Sequence, residues 1–347
     1  MSHTLAERDF AAVTDPLRGE LIAHCYRMLG SVQDAEDQVQ ETYLRAWRAF
    51  GSFEGRSSVR TWMYRIATRT CLTALEQRAR RPLPTGLGAP SADPTGVLDR
   101  RPELPWLEPL PDALVASPGT DPAAVTETRE GIRLAFVAAL QHLTPLQRAV
   151  LILRDVLAFS AAETAETLGV TVPSANSALQ RARAGLDRLR DGGTQEARDG
   201  SGALGLRERD LLDRYMRAFA NYDTEAVVAL LTEDVTWEMP PFTGWYQGPS
   251  AVGALIRTRC PARGPDDLRL LPTAANGQPA CAVWLRGEDG VHHAFQLHVL
   301  DVATTPDGPA VRHVACFFDV ALFRAFGLPQ VHPASAGAPG EVTPAPL

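Results

Sequence analysis

Lysine is absent from this sequence of 347 residues, and all 34 of its basic residues are arginine. A GC-rich genome is the simplest explanation, but arginine also makes bidentate contacts with phosphate and guanine that lysine cannot make. Residues 1–190 hold 22 arginines and 22 acidic residues, whereas residues 191–347 hold 12 and 19. The net charge of −7 therefore arises in the second part of the chain and does not exclude a nucleic-acid partner for the first.

Cysteine pairs of the CxxC type are also absent. The five cysteines are scattered, and their spacing fits neither a zinc site nor a disulfide framework. Single thiols are typical of a reducing compartment, so we expect a cytoplasmic protein with no metal and no cofactor. The start, MSHTLAERDF, lacks a basic segment followed by an apolar run, and no stretch approaches eighteen uninterrupted apolar residues. The sequence thus predicts no signal peptide, no membrane span and no membrane partner.

The composition divides the chain into domains and linkers. Apolar residues recur with helical spacing in two blocks, and the segment between them has ten prolines in 45 residues, which is typical of a linker that cannot fold alone. The predicted fold is multidomain, with two all-α domains followed by an α+β domain. The expected boundaries are 10–81 and 127–190 for the helical domains, 82–126 and 191–206 for the linkers, 207–328 for the α+β domain, and 329–347 for a flexible tail.

One apolar island lies inside the Pro-rich linker. It reads PWLEPLPDALV over residues 105–115, and its tryptophan and leucines are too apolar for a pure spacer. Two interpretations stay open. The island could contact a partner or another part of the chain, or it could be a short hydrophobic anchor on a neighbouring domain.

The segment AAETAETLGVTVPSANSALQRAR has the pattern of a helix-turn-helix. A helix over 161–168 is predicted to end at Gly169, which can adopt the left-handed conformation, and Thr171 can cap the next helix. Alanines and leucines form the inner stripe of that second helix. Its outward face carries Asn, Gln and Arg, which pair with adenine and guanine in the major groove. The alternative is an ordinary solvated face on a helical hairpin.

A second arginine-rich block precedes the linker. Residues 56–81 hold seven arginines against a single acid, Glu76, and Trp62 and Tyr64 lie among them. Proteins that bind single-stranded nucleic acid commonly use arginines to contact the phosphates and aromatic rings to stack on the exposed bases. Just before this block, DAEDQVQE over residues 34–41 is acidic and would repel a phosphate backbone. This pattern indicates a protein partner on one side and DNA on the other, although a solvated helix face would look the same.

The order of these motifs resembles an extracytoplasmic-function sigma factor of the sigma-70 family. The resemblance rests on DAEDQVQETYLRAW, then GRSSVRTWMYRIATR, then LTPLQRAVLILRDVLAFSAAETAETLGVTVPSANSALQRARAGL. It covers residues 17–81, as region 2, and about 134–190, as region 4. It implies that the protein binds core RNA polymerase and promoter DNA and is not itself an enzyme, and that the linker threads through the polymerase toward its active-site channel.

The resemblance implies one role for each block. The acidic helix would dock on the clamp of core RNA polymerase, and the arginine-rich helix would open the −10 element and capture an extruded base. The outward face of the helix-turn-helix would bind the −35 element. The expected residues are Asp34, Glu36, Asp37, Gln40 and Glu41 for the polymerase; Arg60, Trp62, Arg65, Arg69, Gln77, Arg78, Arg80 and Arg81 for the −10 element; and Ser174, Asn176, Ser177, Gln180, Arg181 and Arg183 for the −35 element.

Residues 207–328 resemble a SnoaL-like, ketosteroid-isomerase-like domain. Their order is a helix pair, the strand VTWEM, a short helix, and three long strands. The resemblance implies a curved sheet around an apolar cavity, where a carboxylate or histidine moves protons in the enzymes of this fold. The candidate proton carriers are Glu238, His293, His298, Asp301, His313 and Asp319. The candidate pocket residues are Trp237, Trp245, His293, Phe295, His298 and His313.

Strand alternation limits which of these residues can act together. Along 293–301, His293 and His298 point to opposite faces unless a bulge intervenes. The sequence therefore presents no acid–base pair at a convincing spacing, and we expect no catalytic residue in this domain.

Three functions compete at this level. The first is a sigma factor that its C-terminal domain regulates, with an anti-sigma factor or a small ligand as a candidate partner of that domain. The second is a sigma factor fused to an active isomerase-like enzyme. The third, a helix-turn-helix repressor with a ligand-binding domain, is disfavoured because a repressor needs neither a clamp-docking helix nor a single-strand-binding block.

Overall fold

The computed structural model describes residues 10–76, 79–116, 131–191 and 205–335. The chain divides into two compact units. The first combines Met1–Arg81 with Leu107–Gly202, and the second combines Pro82–Trp106 with Ala203–Leu347. In the described segments, no helix has the length and apolar character needed to cross a membrane.

The first three helices of the first unit start and stop at residues with clear local roles. They are α1 (Arg18–Leu29), α2 (Val32–Phe50) and α3 (Val59–Leu75). Gly30 ends α1 in the left-handed conformation, with φ of 71°. Ser31 and Ser58 cap α2 and α3 through side-chain hydrogen bonds from the amides of Asp34 and Thr61.

The remaining helices of the first unit form the predicted helix-turn-helix and its support. They are α4 (Leu134–Leu140), α5 (Pro145–Leu151) with a π-helical turn at Ile152–Val156, α6 (Ala161–Leu168) and α7 (Val172–Asp191). The helix predicted over 161–168 is confirmed, as is the left-handed Gly169 that ends it, with φ of 67°. The oxygen Oγ1 of Thr171 accepts from the amide of Ser174, as expected of a cap.

In the second unit, residues 205–335 combine helices with a six-stranded mixed sheet. The helices are α8 (Leu206–Ala220), α9 (Thr224–Val228), α10 (Pro249–Arg259) and α11 (Leu322–Ala325). The strands are β1 (Leu231–Glu238), β2 (Trp245–Gln247), β3 (Leu268–Ala275), β4 (Gln278–Arg286), β5 (His292–Thr305) and β6 (Gly308–Phe317). Their order in the sheet is β2-β1-β6-β5-β4-β3, and β1 and β6 are the parallel pair.

The two faces of this sheet have different surroundings. The inner face carries Trp237 and His298, whose rings contact Phe219 of α8. The outer face carries the alternate residues of the same strands. Glu238 follows Trp237 directly, and His313 is the cross-strand neighbour of Asp301, three positions from His298. Residues that are close in sequence therefore lie on opposite sides of the sheet.

The Pro-rich segment differs from the predicted spacer. Its first part, residues 82–106, belongs to the second unit, and Leu107–Leu114 belongs to the first. Leu83 is 4% exposed, and Leu107 and Leu110 are fully buried. Low apolar content prevents such a segment from folding alone, but it does not prevent a few well-placed leucines from packing on a preformed surface.

The PWLEPLPDALV island provides the anchor on the first unit. Its residue Glu108 donates its amide to the carbonyl of Gly30 at 3.1 Å, and the carbonyl of Glu108 accepts from the hydroxyl of Tyr26 at 2.6 Å. The carboxylate of Glu108 also accepts from the amide of Val32 at 2.9 Å, in the first turn of α2. The island therefore contacts another part of its own chain, which both interpretations of its sequence allow.

Candidate polymerase and promoter interfaces

The outward face of α7 is the candidate −35 interface. The inner stripe of this helix is buried as predicted, with Ala175, Ala178 and Ala182 at most 2% exposed. The small side chains allow the close approach of α5 and α6. The predicted −35 residues lie on the other side, where Ser177 is half-buried and the rest are exposed: Ser174, Asn176, Gln180, Arg181 and Arg183.

The two arginines of this face are held differently. The Nε and Nη2 atoms of Arg183 donate to the two carboxylate oxygens of Asp155 at 2.9 and 2.6 Å. This bidentate pair raises the pKa of Arg183, first through the hydrogen bond and then through the charge of Asp155. Arg181 donates from Nη1 to the hydroxyl of Ser177 one turn earlier, at 2.9 Å. Asp155 therefore occupies one edge of the Arg183 guanidinium, whereas Arg181 is bound to a neutral hydroxyl.

The candidate −10 surface follows α3. Arg60 lies 4.9 Å from the ring centre of Tyr64, and both side chains donate to the same carboxylate oxygen of Glu20, at 2.8 and 3.0 Å. Trp62 is half-buried beside Phe53, with ring centres 4.9 Å apart. Gln77 and Arg78 lie outside the described residues. Sequence reasoning did not single out Glu20, although it orients the first arginine of the surface.

Two further −10 residues contact the helix-turn-helix. Arg65 forms an ion pair with Glu166 of α6 at 2.7 Å. Arg69 donates to the carbonyls of Thr167 and Glu166 at 3.1 and 3.3 Å. These carbonyls belong to the last turn of α6, where helix carbonyls lack partners within the helix and the dipole is negative. The arginines predicted for DNA thus bind the C-terminal end of α6 in this structure.

The last two −10 residues are also engaged within the first unit. Arg80 contacts the imidazole Nε2 of His142 at 3.0 Å. Arg81 forms ion pairs with Asp34 at 2.7 Å and with Glu108 at 3.5 Å. Asp34 was expected on the polymerase side and Arg81 on the DNA side, but the structure brings the two together in a partly buried pair. The two side chains carry opposite charges and attract each other, which an assignment to two separate surfaces from sequence alone did not take into account.

The exposed side of α2 forms the candidate clamp face, which we define as Asp37, Gln40, Glu41 and Leu44. Asp37, Gln40 and Leu44 are exposed, and Glu41 is half-buried and pairs with Arg45 at 2.6 Å. The helical spacing of Val39, Tyr43, Leu44 and Trp47 in the sequence predicts an apolar stripe on this helix, but Leu44 is 52% exposed. The remaining predicted residue, Glu36, lies 3.9 Å from Arg18.

In the second unit, the inner face of the sheet holds an aromatic cluster. His298 is fully buried, and its Nδ1 lies 2.9 Å from the hydroxyl of Tyr215. Its ring centre is 5.9 Å from that of Trp237 and 5.1 Å from that of Phe219. Burial lowers the pKa of His298 to about 3. This imidazole is neutral at physiological pH, and its contacts with Tyr215, Phe219 and Trp237 are contacts with aromatic side chains rather than with a carboxylate.

The acid–histidine pair of this domain lies on the outer face instead. His313 Nε2 contacts Glu238 Oε1 at 2.8 Å, and Glu238 is fully buried. Burial alone would lower the pKa of His313, but its hydrogen bond to Glu238 and the charges of Glu238 and Asp301 raise the pKa above its ordinary value. The charged form is favoured, and the pair lies on the opposite side of the sheet from the cone interior.

The other predicted pocket residues are dispersed. His293 is half exposed and pairs with Asp289 at 2.8 Å. A bulge at Phe295 shifts the β4–β5 register, so His298 pairs with Cys281 and His293 with Leu285, and the two histidines share one face of the sheet instead of the opposite faces that simple alternation predicts. They nevertheless lie five positions apart on the strand, about 17 Å. Phe295 contacts Phe318, and the indole of Trp245 donates to the carbonyl of Gly88. The structure thus brings together only Trp237 and His298 of the six.

Three parts of this chain match known protein families. Residues 15–81 match Sigma-70 region 2, residues 133–186 match Sigma-70, region 4, and residues 212–313 match the SnoaL-like domain. The ECF RNA polymerase sigma factor SigG of Mycobacterium tuberculosis is 55% identical over 322 residues, which is 93% of this chain and 84% of that protein. The chain belongs to the extracytoplasmic-function sigma factors. This sigma factor therefore binds core RNA polymerase and directs it to promoters.

A second relative of this sigma factor shares its fold. SigJ of Mycobacterium tuberculosis is 33% identical over 244 residues, covering 70% of this chain and 67% of SigJ. The crystal structure of SigJ aligns with a TM-score of 0.58 at 25% identity, covering 90% of this chain and 97% of that one. The multidomain fold and the C-terminal SnoaL-like domain expected from the sequence are confirmed.

The described residues were also considered as metal ligands. In the part of the chain that the structure describes, no three His, Cys, Asp or Glu side chains are grouped so as to hold a metal ion.

The different environments of Arg181 and Arg183 lead to a first prediction. We expect Arg181→Ala to relax discrimination at one base pair of the −35 element, at a cost of about 1–3 kcal/mol. We expect Arg183→Ala to weaken binding to all −35 sequences alike, because Asp155 already occupies one edge of its guanidinium. Titration of holoenzyme against a set of −35 variants at two salt concentrations measures both effects. Arg188→Ala, on an exposed part of α7, is the control. Loss of base discrimination in Arg183→Ala alone would reverse the assignment.

Proposed function

We propose that the first unit carries out promoter recognition through three surfaces, in the cytoplasm where core polymerase and chromosome meet. The clamp face on α2 would bind polymerase, the exposed side of α7 would bind the −35 element, and α3 with the segment after it would bind the −10 element. Support comes from the exposure of the α7 face, of Asp37 and Gln40 on α2, and from the arrangement of Arg60 over Tyr64.

We further propose that the described arrangement is a closed form of this sigma factor. The observation that carries this proposal is the binding of Arg65 and Arg69 to the end of α6. Elements at −10 and −35 are centred about 25 base pairs apart, which is about 85 Å along DNA at 3.4 Å per pair. A region 4 in contact with α3 cannot reach a −35 element while α3 binds the −10 element. The two regions therefore have to separate before the promoter is bound.

Other contacts within the first unit stabilise the closed form. Arg148 of α5 donates to the carbonyl of Met28 at the end of α1, and Arg27 of α1 donates to the carbonyl of Gly131 at 2.8 Å. Tyr64 of α3 makes an edge contact with Phe159, with ring centres 6.0 Å apart. In both contacts the arginine donates to a neutral carbonyl. Opening of the closed form therefore leaves no carboxylate without its partner at Met28 or at Gly131.

The SnoaL-like domain is proposed to regulate this sigma factor rather than to catalyse a reaction. The histidine on the inner face of its sheet, His298, is uncharged at neutral pH. The acid–histidine pair of Glu238 and His313 lies on the outer face. The domain also binds part of the segment that links the two sigma regions, as the hydrogen bonds of residues 85–101 indicate. An anti-sigma factor or a small ligand acting at this domain stays a proposed partner.

The closed form is tested by Glu166→Arg. Removing one surface ion pair and adding repulsion against Arg65 and Arg69 changes the free energy of the closed form by about 1 kcal/mol, roughly a fivefold change in the ratio of open to closed molecules. We expect a larger radius of gyration in solution scattering and more run-off transcript at limiting core polymerase. Glu288→Arg, which makes the same charge change at an exposed turn of the second unit, is the control.

The charge-swapped double variant Arg65→Glu, Glu166→Arg should restore the smaller radius, because the ion pair is rebuilt with its partners exchanged. An unchanged radius in Glu166→Arg, or equal effects of Glu166→Arg and Glu288→Arg, would contradict the closed form.

A further inference from the structure

The outer-face pair of the second unit is in contact with the chain's own linker. Residues 82–106, which we call the strap, belong to the second unit, whereas Arg81 and Leu107 on either side of them belong to the first. The amide of Thr85 donates to Glu238 Oε2 at 3.0 Å, and His313 occupies Glu238 Oε1 at 2.8 Å. Both oxygens of this fully buried carboxylate are therefore hydrogen bonded, one of them to the strap.

Backbone hydrogen bonds continue this contact along the strap. The amide of Ser91 donates to the carbonyl of Trp245 at 2.7 Å, and the indole of Trp245 donates to the carbonyl of Gly88 at 2.9 Å. Further along, the amide of Thr243 donates to the carbonyl of Asp99 at 2.9 Å, and the amide of Arg101 donates to the carbonyl of Pro241 at 2.8 Å. Backbone groups make most of these bonds, so the strap is bound much as a peptide ligand is bound.

Side chains complete the contact at its centre. The guanidinium of Arg259, at the end of α10, donates to the carbonyls of Thr95 and Gly96. The hydroxyl of Thr243 donates to the carboxylate of Asp99 at 3.0 Å, and this bond, after that from Arg101, lowers the pKa of Asp99. Leu98 packs against the hydrophobic core of the domain. The contact thus extends over most of the strap and is not confined to one end.

We propose that the SnoaL-like domain is an intramolecular receptor for the strap, with Glu238 and His313 as its buried polar site and the loop from Pro241 to Trp245, together with Arg259, as its rim. The acid–histidine pair that would serve proton transfer in an enzyme of this fold binds a backbone amide here. This inference rests on the proposed regulatory function of the domain and names the segment on which it acts.

The strap gives the domain a connection to the −10 surface. Arg80 and Arg81 immediately precede the strap, and Arg81 pairs with Glu108 just after it, at 3.5 Å. The strap is therefore a closed loop whose two ends are held together on region 2. A domain that binds this loop restrains the residues that enter and leave it, including the last arginines of the −10 surface.

Hydrogen exchange of the full chain, read by mass spectrometry over residues 85–101, tests the receptor. Glu238→Leu removes both acceptor oxygens, and Arg259→Met removes the two bonds at the centre of the strap. Each variant removes hydrogen bonds that involve a charged group, so we expect exchange of the strap amides to rise about tenfold or more in each variant. Glu233→Leu, exposed on the same strand, and Arg263→Met, in the loop after α10, are the matched controls.

The two readouts separate this inference from the regulatory proposal. Unchanged strap exchange in Arg259→Met, whose side chain is exposed and whose loss leaves the core of the domain intact, would overturn the receptor, as would equal changes in the controls. The same variants in run-off transcription report on regulation. Faster strap exchange with unaltered transcription would keep the receptor and overturn the regulatory function.

Discussion

Replacing Arg148 with methionine is expected to lower the free energy of unfolding of the first unit by at least about 3 kcal/mol. The side chain is 3% exposed, and its hydrogen bonds go to carbonyl and amide oxygens rather than to a carboxylate. Its guanidinium instead donates to the carbonyls of Met28, Leu140, Gln141 and Leu143 and to the side-chain oxygen of Gln141. Methionine fills a similar volume but leaves these buried acceptors without donors, and that desolvation accounts for the loss.

The electrostatics of Arg148 agree with this expectation. Burial, and then the charge of Arg80, lowers its pKa to about 10. The side chain stays charged at neutral pH, so burial costs free energy that only its hydrogen bonds offset. Losing any one of these hydrogen bonds costs much less free energy than losing all of them.

Calorimetry provides the measurement for this variant. For a unit of this size, each kcal/mol corresponds to about 2–4 °C in melting temperature, so the transition of the first unit should fall by roughly 6–12 °C. Arg188→Met, at an exposed position of α7, is the matched control and should change little. A decrease of less than about 1 kcal/mol would mean that water replaces the arginine at these carbonyls.

Acidification from pH 7.5 to pH 5 is expected to destabilise both units. The pKa values of His24 and His298 are both lowered to about 3. Burial causes the shift of His298 and is the largest cause of the shift of His24. Below pH 6.5 the unfolded chain binds a proton at each site that the folded chain does not bind, so stability falls between about pH 6.5 and pH 3. One pKa unit corresponds to 1.36 kcal/mol, which gives about 2 kcal/mol for each histidine at pH 5.

The contribution of His313 to stability changes with pH in the opposite direction. Its pKa is raised in the folded protein, so its contribution is fully present below pH 6.5 and is lost as the pH rises through the raised value. It therefore does not add to the acid destabilisation.

The histidines can be distinguished by substitution. His298→Gln keeps a hydrogen-bonding group near Tyr215 and cannot take up a proton, so the second unit should lose about 2 kcal/mol less than the wild type at pH 5. The melting of the first unit, where His24 lies, should keep its pH dependence. His293→Gln, at a half-exposed position, is the control. The same acid sensitivity of the second unit in wild type and His298→Gln would rule out His298 as its source.

Local sequence rules were sufficient for the helix-turn-helix. Gly169 ends α6 and Thr171 caps α7, and the alanine spacing on α7 identifies its buried side. Both depend on interactions within one or two helical turns, which the order of residues determines directly. The choice of outward residues on α7 followed from the same periodicity.

The pairing of charged residues could not be read in this way. Asp34 and Arg81 are 47 positions apart and form one ion pair, and Arg65 and Arg69 bind the end of a helix about a hundred residues later. A charge pattern identifies residues able to bind polymerase or DNA, but a folded chain offers the same groups internal partners. Leu44 shows the converse, since its spacing assigned it to the core and packing left it at the surface.

The amino-acid sequence by itself determined the helical blocks, the recognition helix, the alternation of β1 and the family to which the protein belongs, because these depend on short-range spacing. Only the tertiary structure decided that Glu238 faces away from the cone, that it binds Thr85, and that the Pro-rich segment is shared between the two units. The alternation of side chains along β1 places Trp237 and Glu238 on opposite faces of the sheet, but it does not determine which face packs against the helices. A linker too polar to fold alone acquires a fixed path only when a folded surface supplies the partners for its backbone.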